Sequence, residues 1–211
     1  MPELHIITGS NGAGKSTVGS DYLPEHIFAN HTVFDGDRLF LEKRKEFSQQ
    51  TKSFKEARNL ASEWLEQHFV SLVDQALNRG DDFVYEGHFS SAGTWQTPIR
   101  FRDHGYSIHL IFFGLADTDL SELRVVERSK LGGHYVNPIE VDSNFRGNLF
   151  FLDQNFEWID ELLIVDTSAV QHKLLLNVVN DRVVFQVSRD ELPQWFTTFI
   201  TKITSRYFPT V

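Results

Sequence analysis

The stretch Thr8–Thr17, TGSNGAGKST, narrows the possible folds more than any other part of the chain. Its spacing is G-x-x-x-x-G-K-[ST], with Gly9, Gly14, Lys15 and Ser16 in the fixed places. The apolar run LHII before it reads as a buried strand, and helix formers follow it, with Pro24 beyond. A phosphate-binding loop needs this strand–loop–helix setting. Glycines let backbone N–H groups turn inward as an anion nest. The following helix adds the positive end of its dipole. Gly9, Ser10, Asn11, Gly12, Ala13, Gly14, Lys15, Ser16 and Thr17 are therefore the expected cradle of a nucleoside triphosphate. Lys15 is placed to reach the β- and γ-phosphates, and the Ser16 hydroxyl to ligate Mg²⁺. The bland reading, a glycine-rich turn that matches by accident, leaves the strand context unexplained.

The length of 211 residues points to one domain, 1–211. With 41% hydrophobic residues and 19 Phe, a large core is available. The absence of cysteine excludes disulfides, thiolate metal sites and cysteine nucleophiles. A net charge of −9 makes broad nucleic-acid binding unexpected, because that relies on many Lys and Arg contacts to phosphates. The N-terminus has no charged-then-apolar leader pattern, and the longest apolar run, IHLIFFGLA, is too short to span a bilayer. The expectation is a cytoplasmic protein with no membrane association.

Apolar runs alternate with helical patterns. LHIIT, TVFDGD, DFVYEG, YSIHLIFFGL and DELLIVDTS read as five strands. A long helix is expected over FKEARNLASEWLEQHFVSLVDQALNRG, ending at Gly80. SAGTWQTPIRFRDHG, DTDLSELRVVERSKLGG and IEVDSNFRGNLFFLDQNFEWI read as further helices. HKLLLNVVNDRVVFQVS reads as a hairpin about Asn180–Asp181, followed by one final amphipathic helix in RDELPQWFTTFITKITSRYF. The predicted architecture is α/β: a mainly parallel, five-stranded, three-layer sheet with helices on both faces. A hairpin–helix extension over about 172–208 completes it. Ligands of such sheets sit at the carboxyl ends of the strands. That rule gathers the loop with Asp35, Asp37, Glu86 and Asp166 in one cleft.

A kinase acting on a hydroxyl needs a carboxylate within reach of it. Asp37 in FDGD is the first candidate for that base and Asp35 the second; the structural alternative is a turn Asp capping the next helix. Glu86 in VYEGH is a candidate to orient Mg²⁺ through water or to bind acceptor hydroxyls, against a plain helix-entry carboxylate. Arg124 and Arg128 lie four apart on one helix face, where a lid over 124–148 brings them onto the transferring phosphoryl group; the alternative is a solvated face paired with Glu122 or Glu127. Arg146 and His134 are further lid candidates. The nine histidines show no metal-ligand spacing such as H-x₃-H, which argues against a dedicated zinc site. Trp64, Trp95, Trp158 and Trp195 read as packing residues.

Transporter-type ATPases share the glycine loop, but they need a Ser-Gly-Gly-Gln stretch and a strand ending Asp-Glu. Here KLGGH and LLIVDT stand in those places. The GTPase signatures D-x-x-G and N-K-x-D are absent. The ordered set GSNGAGKST, FDGDRL, FVYEGHFSS, GYSIHLIFFGL, RVVERSKLGGHYV and LLIVDTS resembles the zeta-toxin-like family of P-loop kinases over roughly residues 3–190. The resemblance implies a nucleotide-kinase-like P-loop NTPase fold. It also implies ATP with Mg²⁺, Asp37 as base, Glu86 at acceptor or metal, and Arg128 acting from the lid. The implied acceptor is a nucleotide sugar such as UDP-N-acetylglucosamine, and the implied partner an antitoxin-like protein. Such relatives usually carry an arginine pair just before an aromatic residue; this chain reads DSNF at 142–145, with Arg146 one position beyond. One lid arginine is thus displaced or lost. By fold analogy the nucleotide base lies near Asp166–Ser168. The competing reading is a P-loop ATPase or nucleotide-dependent switch acting on a protein partner.

Overall fold

A computed structural model describes residues 1–130 and 136–210. Strand β1 (Glu3–Gly9) lies between β3 (Phe83–Gly87) and β4 (Ser107–Gly114), with β2 (Phe34–Asp35) beyond β3 and β5 (Glu161–Asp166) beyond β4. These five strands are parallel. The chain steps from β1 outward to β2, back to β3, then across β1 to β4. The order reverses at β1, and the phosphate-loop sequence leaves that strand at its carboxyl end, where α/β sheets bind ligands.

The predicted hairpin, β6 (Lys173–Val179) and β7 (Arg182–Gln186), joins the same sheet antiparallel to β5 and makes it seven-stranded. Its turn residues Asn180 and Asp181 both have positive φ, 49° and 60°, the backbone that a two-residue hairpin requires.

Both faces of the sheet are covered, as alternate side chains of β1 show. Ile7 meets Gly19 in the 3₁₀ turn Gly19–Tyr22 that follows the one-turn helix α1 (Lys15–Val18). Thr8, on the other face, bonds Asn148 in helix α7 (Pro138–Asn155). Strand β4 is buried along nearly its whole length, as its continuous apolar run predicts.

Helix α2 (Glu25–Asn30) precedes β2. The second strand is shorter than TVFDGD suggested, because Asp35 already caps helix α3 (Gly36–Gln50): its Oδ1 accepts from the Arg38 N–H at 2.9 Å. Asp37 therefore sits in the first turn of a helix. Helix α4 (Phe54–Arg79) is the long helix expected, stopped by Gly80 at φ 69°. Helices α5 (Gln96–Asp103) and α6 (Thr118–Lys130) flank β4.

The single final helix predicted is instead two, α8 (Gln194–Phe199) and α9 (Thr201–Tyr207). Ile200 leaves helical geometry at φ −113°, ψ 64°. Asp153 of α7 then accepts from the Lys202 and Ile203 N–H groups at 3.1 and 3.0 Å, a cap for α9 supplied from another helix. Trp195 of α8 packs flat on Gly114, where any Cβ would meet its ring at 2.1 Å. Among the described residues no helix is long and apolar enough to cross a membrane.

Candidate active site

The phosphate loop is shaped by close contacts as well as by sequence. Gly9 has φ 137°, and a Cβ there would lie 2.2 Å from the Phe113 carbonyl oxygen, so only glycine fits. Gly12, at φ 73°, is pressed against α6: a Cβ would meet the Arg124 Cβ at 2.8 Å. Two helices hold the loop. From α6, the Ser121 hydroxyl donates to the Asn11 carbonyl at 2.6 Å. From α7, the Asn144 amide donates to Asn11 Oδ1 at 2.9 Å and accepts from the Ser90 hydroxyl at 3.0 Å. Asn148 Oδ1 accepts from the Phe89 N–H at 2.6 Å and from the Thr8 hydroxyl at 3.3 Å, tying β1 to the end of β3.

A cleft of about 370 Å³ opens over this loop. Asn11, Gly12, Gly14, Lys15, Ser16 and Thr17 line it from the loop, and Asp37, Glu86, Arg124 and Arg128 from elsewhere. Ser10 and Ala13 are buried beneath, and Gly9 closes the strand. The ammonium of Lys15 donates to the Gly9 and Ser10 carbonyls, both at 3.0 Å. Burial lowers its pKa to about 8, with Arg128 pushing the same way and Glu86, Asp37 and Asp35 opposing. The Ser16 hydroxyl donates to Glu86 Oε1 at 2.7 Å. Burial raises the Glu86 pKa despite that bond and the nearby Lys15. An anion nest, an ammonium and a hydroxyl–carboxylate pair on one cleft fit a triphosphate with a divalent cation.

The two arginines of α6 divide. Arg124 is pinned: its guanidinium donates to the carbonyls of Thr167, Ser168 and Gly12 at 2.9, 3.0 and 3.3 Å. It couples the loop to the segment after β5, where Asp166 Oδ1 accepts from the Ser168 N–H at 3.1 Å and from Trp195 Nε1 at 3.3 Å. Arg128 lines the cleft and is exposed. Arg146 is not brought to the cleft; it is exposed and pairs with Asp142 one turn back on α7 at 2.9 Å. His134 and the Gly-Gly stop before it lie outside the described residues.

His88 was not expected. It lines the cleft, two residues beyond Glu86, with Nε2 3.3 Å from Asn11 Nδ2. Burial holds its pKa well below the ordinary value, helped by Lys15 and Arg128, so the ring is neutral. The only sequence signal was its place just past a strand-end carboxylate. Glu86 and His88 also line a second cavity of about 350 Å³, walled by Phe34, Phe69, Tyr85 and Phe89.

A family model for zeta toxin matches residues 1–177 of this chain. The chain belongs to the zeta toxin family. Zeta toxin membership accounts for the order in which loop, strand-end acids and arginine helix follow one another. The fold of this zeta toxin family chain is similar to a crystal structure of AvrRxo1-ORF1:-ORF2 with ATP, at 14% identity and TM-score 0.68. That likeness covers 100% of this chain and 65% of the other, so the chain spans just under two thirds of that relative. It is also similar to a structure from the PezAT chromosomal toxin–antitoxin system of Streptococcus pneumoniae, at 17% identity and TM-score 0.55, covering 98% of this chain and 87% of the other. At such identities the likeness is one of fold. No match was found among curated proteins.

Proposed function

We propose that this chain is an ATP-dependent phosphotransferase that moves the γ-phosphate of ATP to a hydroxyl of a small acceptor. One observation carries the reading: Lys15, the Ser16–Glu86 pair, Asp37 and Arg128 face one cleft, and that cleft shares Glu86 and His88 with an aromatic-walled cavity of a size for an acceptor.

The loop N–H groups and Lys15 would hold the phosphates. Ser16 and Glu86 would hold Mg²⁺, which when bound neutralises charge on the phosphate oxygens. Asp37 would accept the proton of the acceptor hydroxyl as its oxygen bonds to the γ-phosphorus. The bond from that phosphorus to the bridging oxygen breaks, and ADP leaves. Arg128 would meet the charge spread over the phosphoryl oxygens. Arg124 would act as a positioning residue.

The acceptor proposed first is a nucleotide sugar such as UDP-N-acetylglucosamine, whose base the aromatic walls suit. Among the described residues no Lys or Arg lines the second cavity, which favours an uncharged flat body there. Because PezAT is a toxin–antitoxin system, an antitoxin-like protein is the corresponding partner to test.

The test is incubation with γ-labelled ATP, Mg²⁺ and a panel of nucleotide sugars and uncharged hydroxyl compounds. Label on one acceptor, lost in Lys15→Ala and Asp37→Asn, is the expected result. Label found only as free phosphate and unchanged in Asp37→Asn would favour an ATPase or nucleotide switch.

A further inference from the structure

A second group of chemistry-bearing side chains lies at the other end of the sheet. His5 and His109 are register partners on the adjacent strands β1 and β4, and Glu161 on β5 is the next partner in the same row. Glu3 stands two residues before His5, on the same face of β1. His5 is 2% exposed, and its ring stacks on that of His109 at 4.5 Å. At about 3.3 Å per residue, His5 is some 13 Å along the strand from Gly9 and the phosphate loop.

The hydrogen bonding of this row leaves one histidine nitrogen open. Glu161 Oε2 lies 2.7 Å from His109 Nδ1. An ionised carboxylate oxygen only accepts, so in this pairing Nδ1 carries the proton. His109 Nε2 is left as a bare lone pair. It is buried and, among the described residues, has no hydrogen-bond partner. An imidazole that gives one ring N–H to a carboxylate and offers the other nitrogen is the usual form of a metal-ligating histidine. One donor atom each from Glu3, His5 and His109 lies within 4.8 Å of the others. Glu3 Oε2 is 2.8 Å from His5 Nε2, and His26 of α2 reaches the same oxygen at 3.4 Å. A cavity of about 50 Å³ adjoins the row, lined in part by His5, Tyr22, Pro24, His109 and Glu161.

We propose that Glu3, His5 and His109 bind one divalent transition-metal ion, zinc by ligand type, with Glu161 positioning His109. Two imidazoles and a carboxylate suit zinc over Mg²⁺ or Ca²⁺, which take oxygen ligands. Tetrahedral zinc with bonds of about 2.0–2.1 Å needs donors roughly 3.3 Å apart. Closing on the ion therefore takes side-chain rotation of the order of 1 Å, with His5 in its Nδ1–H tautomer. The ion would cross-link β1 to β4 beneath the core, far from the phosphate cleft. The missing H-x₃-H spacing is no obstacle, because the two histidines meet by strand register and not by helical periodicity.

The experiment is calorimetric titration of chelator-treated full-length protein with ZnCl₂, in excess Mg²⁺, with Co²⁺ absorption as a second readout. One equivalent is expected to bind at micromolar Kd or tighter, with visible Co²⁺ bands and a raised Tm. Glu86→Gln, which alters the cleft, should leave this binding intact. His109→Ala should abolish it, and Glu161→Gln should weaken it 10–100-fold. Glu3→Gln, at the start of the strand, covers the case in which the histidine variant misfolds; it should weaken binding and change the Co²⁺ spectrum. No zinc binding, or binding lost in Glu86→Gln and kept in Glu3→Gln, would overturn the proposal.

Discussion

The Ser16 hydroxyl donates a 2.7 Å hydrogen bond to Glu86, joining the phosphate loop to the end of β3. The pair brings a hydroxyl and a carboxylate to one point of the cleft, the donor types that Mg²⁺ prefers. Glu86→Gln keeps an acceptor for Ser16 but removes the charge. ATP affinity is expected to fall about tenfold in Mg²⁺, about 1.4 kcal/mol, and to change little in EDTA. Calorimetry under both conditions checks this; an equal loss in both would remove Glu86 from the metal site.

Lys15 titrates at about 8 because its ammonium is buried. Phosphate oxygens beside it favour the charged form and raise that value. At pH 8 roughly half the free protein carries a neutral Lys15, so ATP binding takes up about half a proton. At pH 6.5 the uptake by this group vanishes. Binding enthalpies in buffers of different ionisation heat measure the uptake directly, and Lys15→Arg should abolish it.

Arg124 and Arg128 are expected to separate by experiment. Arg124 is engaged with three carbonyls, so Arg124→Ala leaves those groups short of a donor and loosens the loop. It should lower stability by about 1–3 kcal/mol and weaken ATP binding. Arg128→Ala should leave Tm within a degree or two and reduce kcat by roughly a hundredfold or more, with KM for ATP little changed. Denaturation and steady-state kinetics on both variants decide the assignment.

Much of this was legible in the sequence, for reasons that differ by element. The glycine loop carries its own geometry, the β4 run is apolar enough to mark a central strand, and Asn180–Asp181 has the turn chemistry of a hairpin. Helix α3 gave no signal because none of its 15 residues is buried, so no apolar stripe marks it. The break at Ile200 depends on Asp153, which approaches only after α7 has packed. The same holds for Asn144, in the DSNF stretch. It ties Asn11 to Ser90, a role invisible without the fold. The His5–His109 pair is likewise a product of strand register.

Acid should destabilise the protein from below about pH 6.5. His5 is held below its ordinary value by burial, against its bond to Glu3, and His88 well below it by burial, with Lys15 and Arg128 adding. A histidine with a lowered folded pKa binds fewer protons folded than unfolded, so stability is full above 6.5 and falls as pH drops through the folded value. Glu86, raised by burial, acts in the opposite sense only above its unfolded value near 4.5. Urea unfolding in chelator at pH 7.0 and about 5.5 should show a lower midpoint at the acid pH. An unchanged midpoint would contradict neutral, buried rings.

In the proposed reaction Asp37 deprotonates an acceptor hydroxyl beside ATP held by the loop. The most direct measurement is the single-turnover rate of phosphoryl transfer by Asp37→Asn with the acceptor that the labelled-ATP panel identifies, set against its Kd for ATP. Transfer should fall about 10²–10⁴-fold with the ATP Kd unchanged. Transfer within a few-fold of the unsubstituted protein, at the same ATP affinity, would contradict the claim.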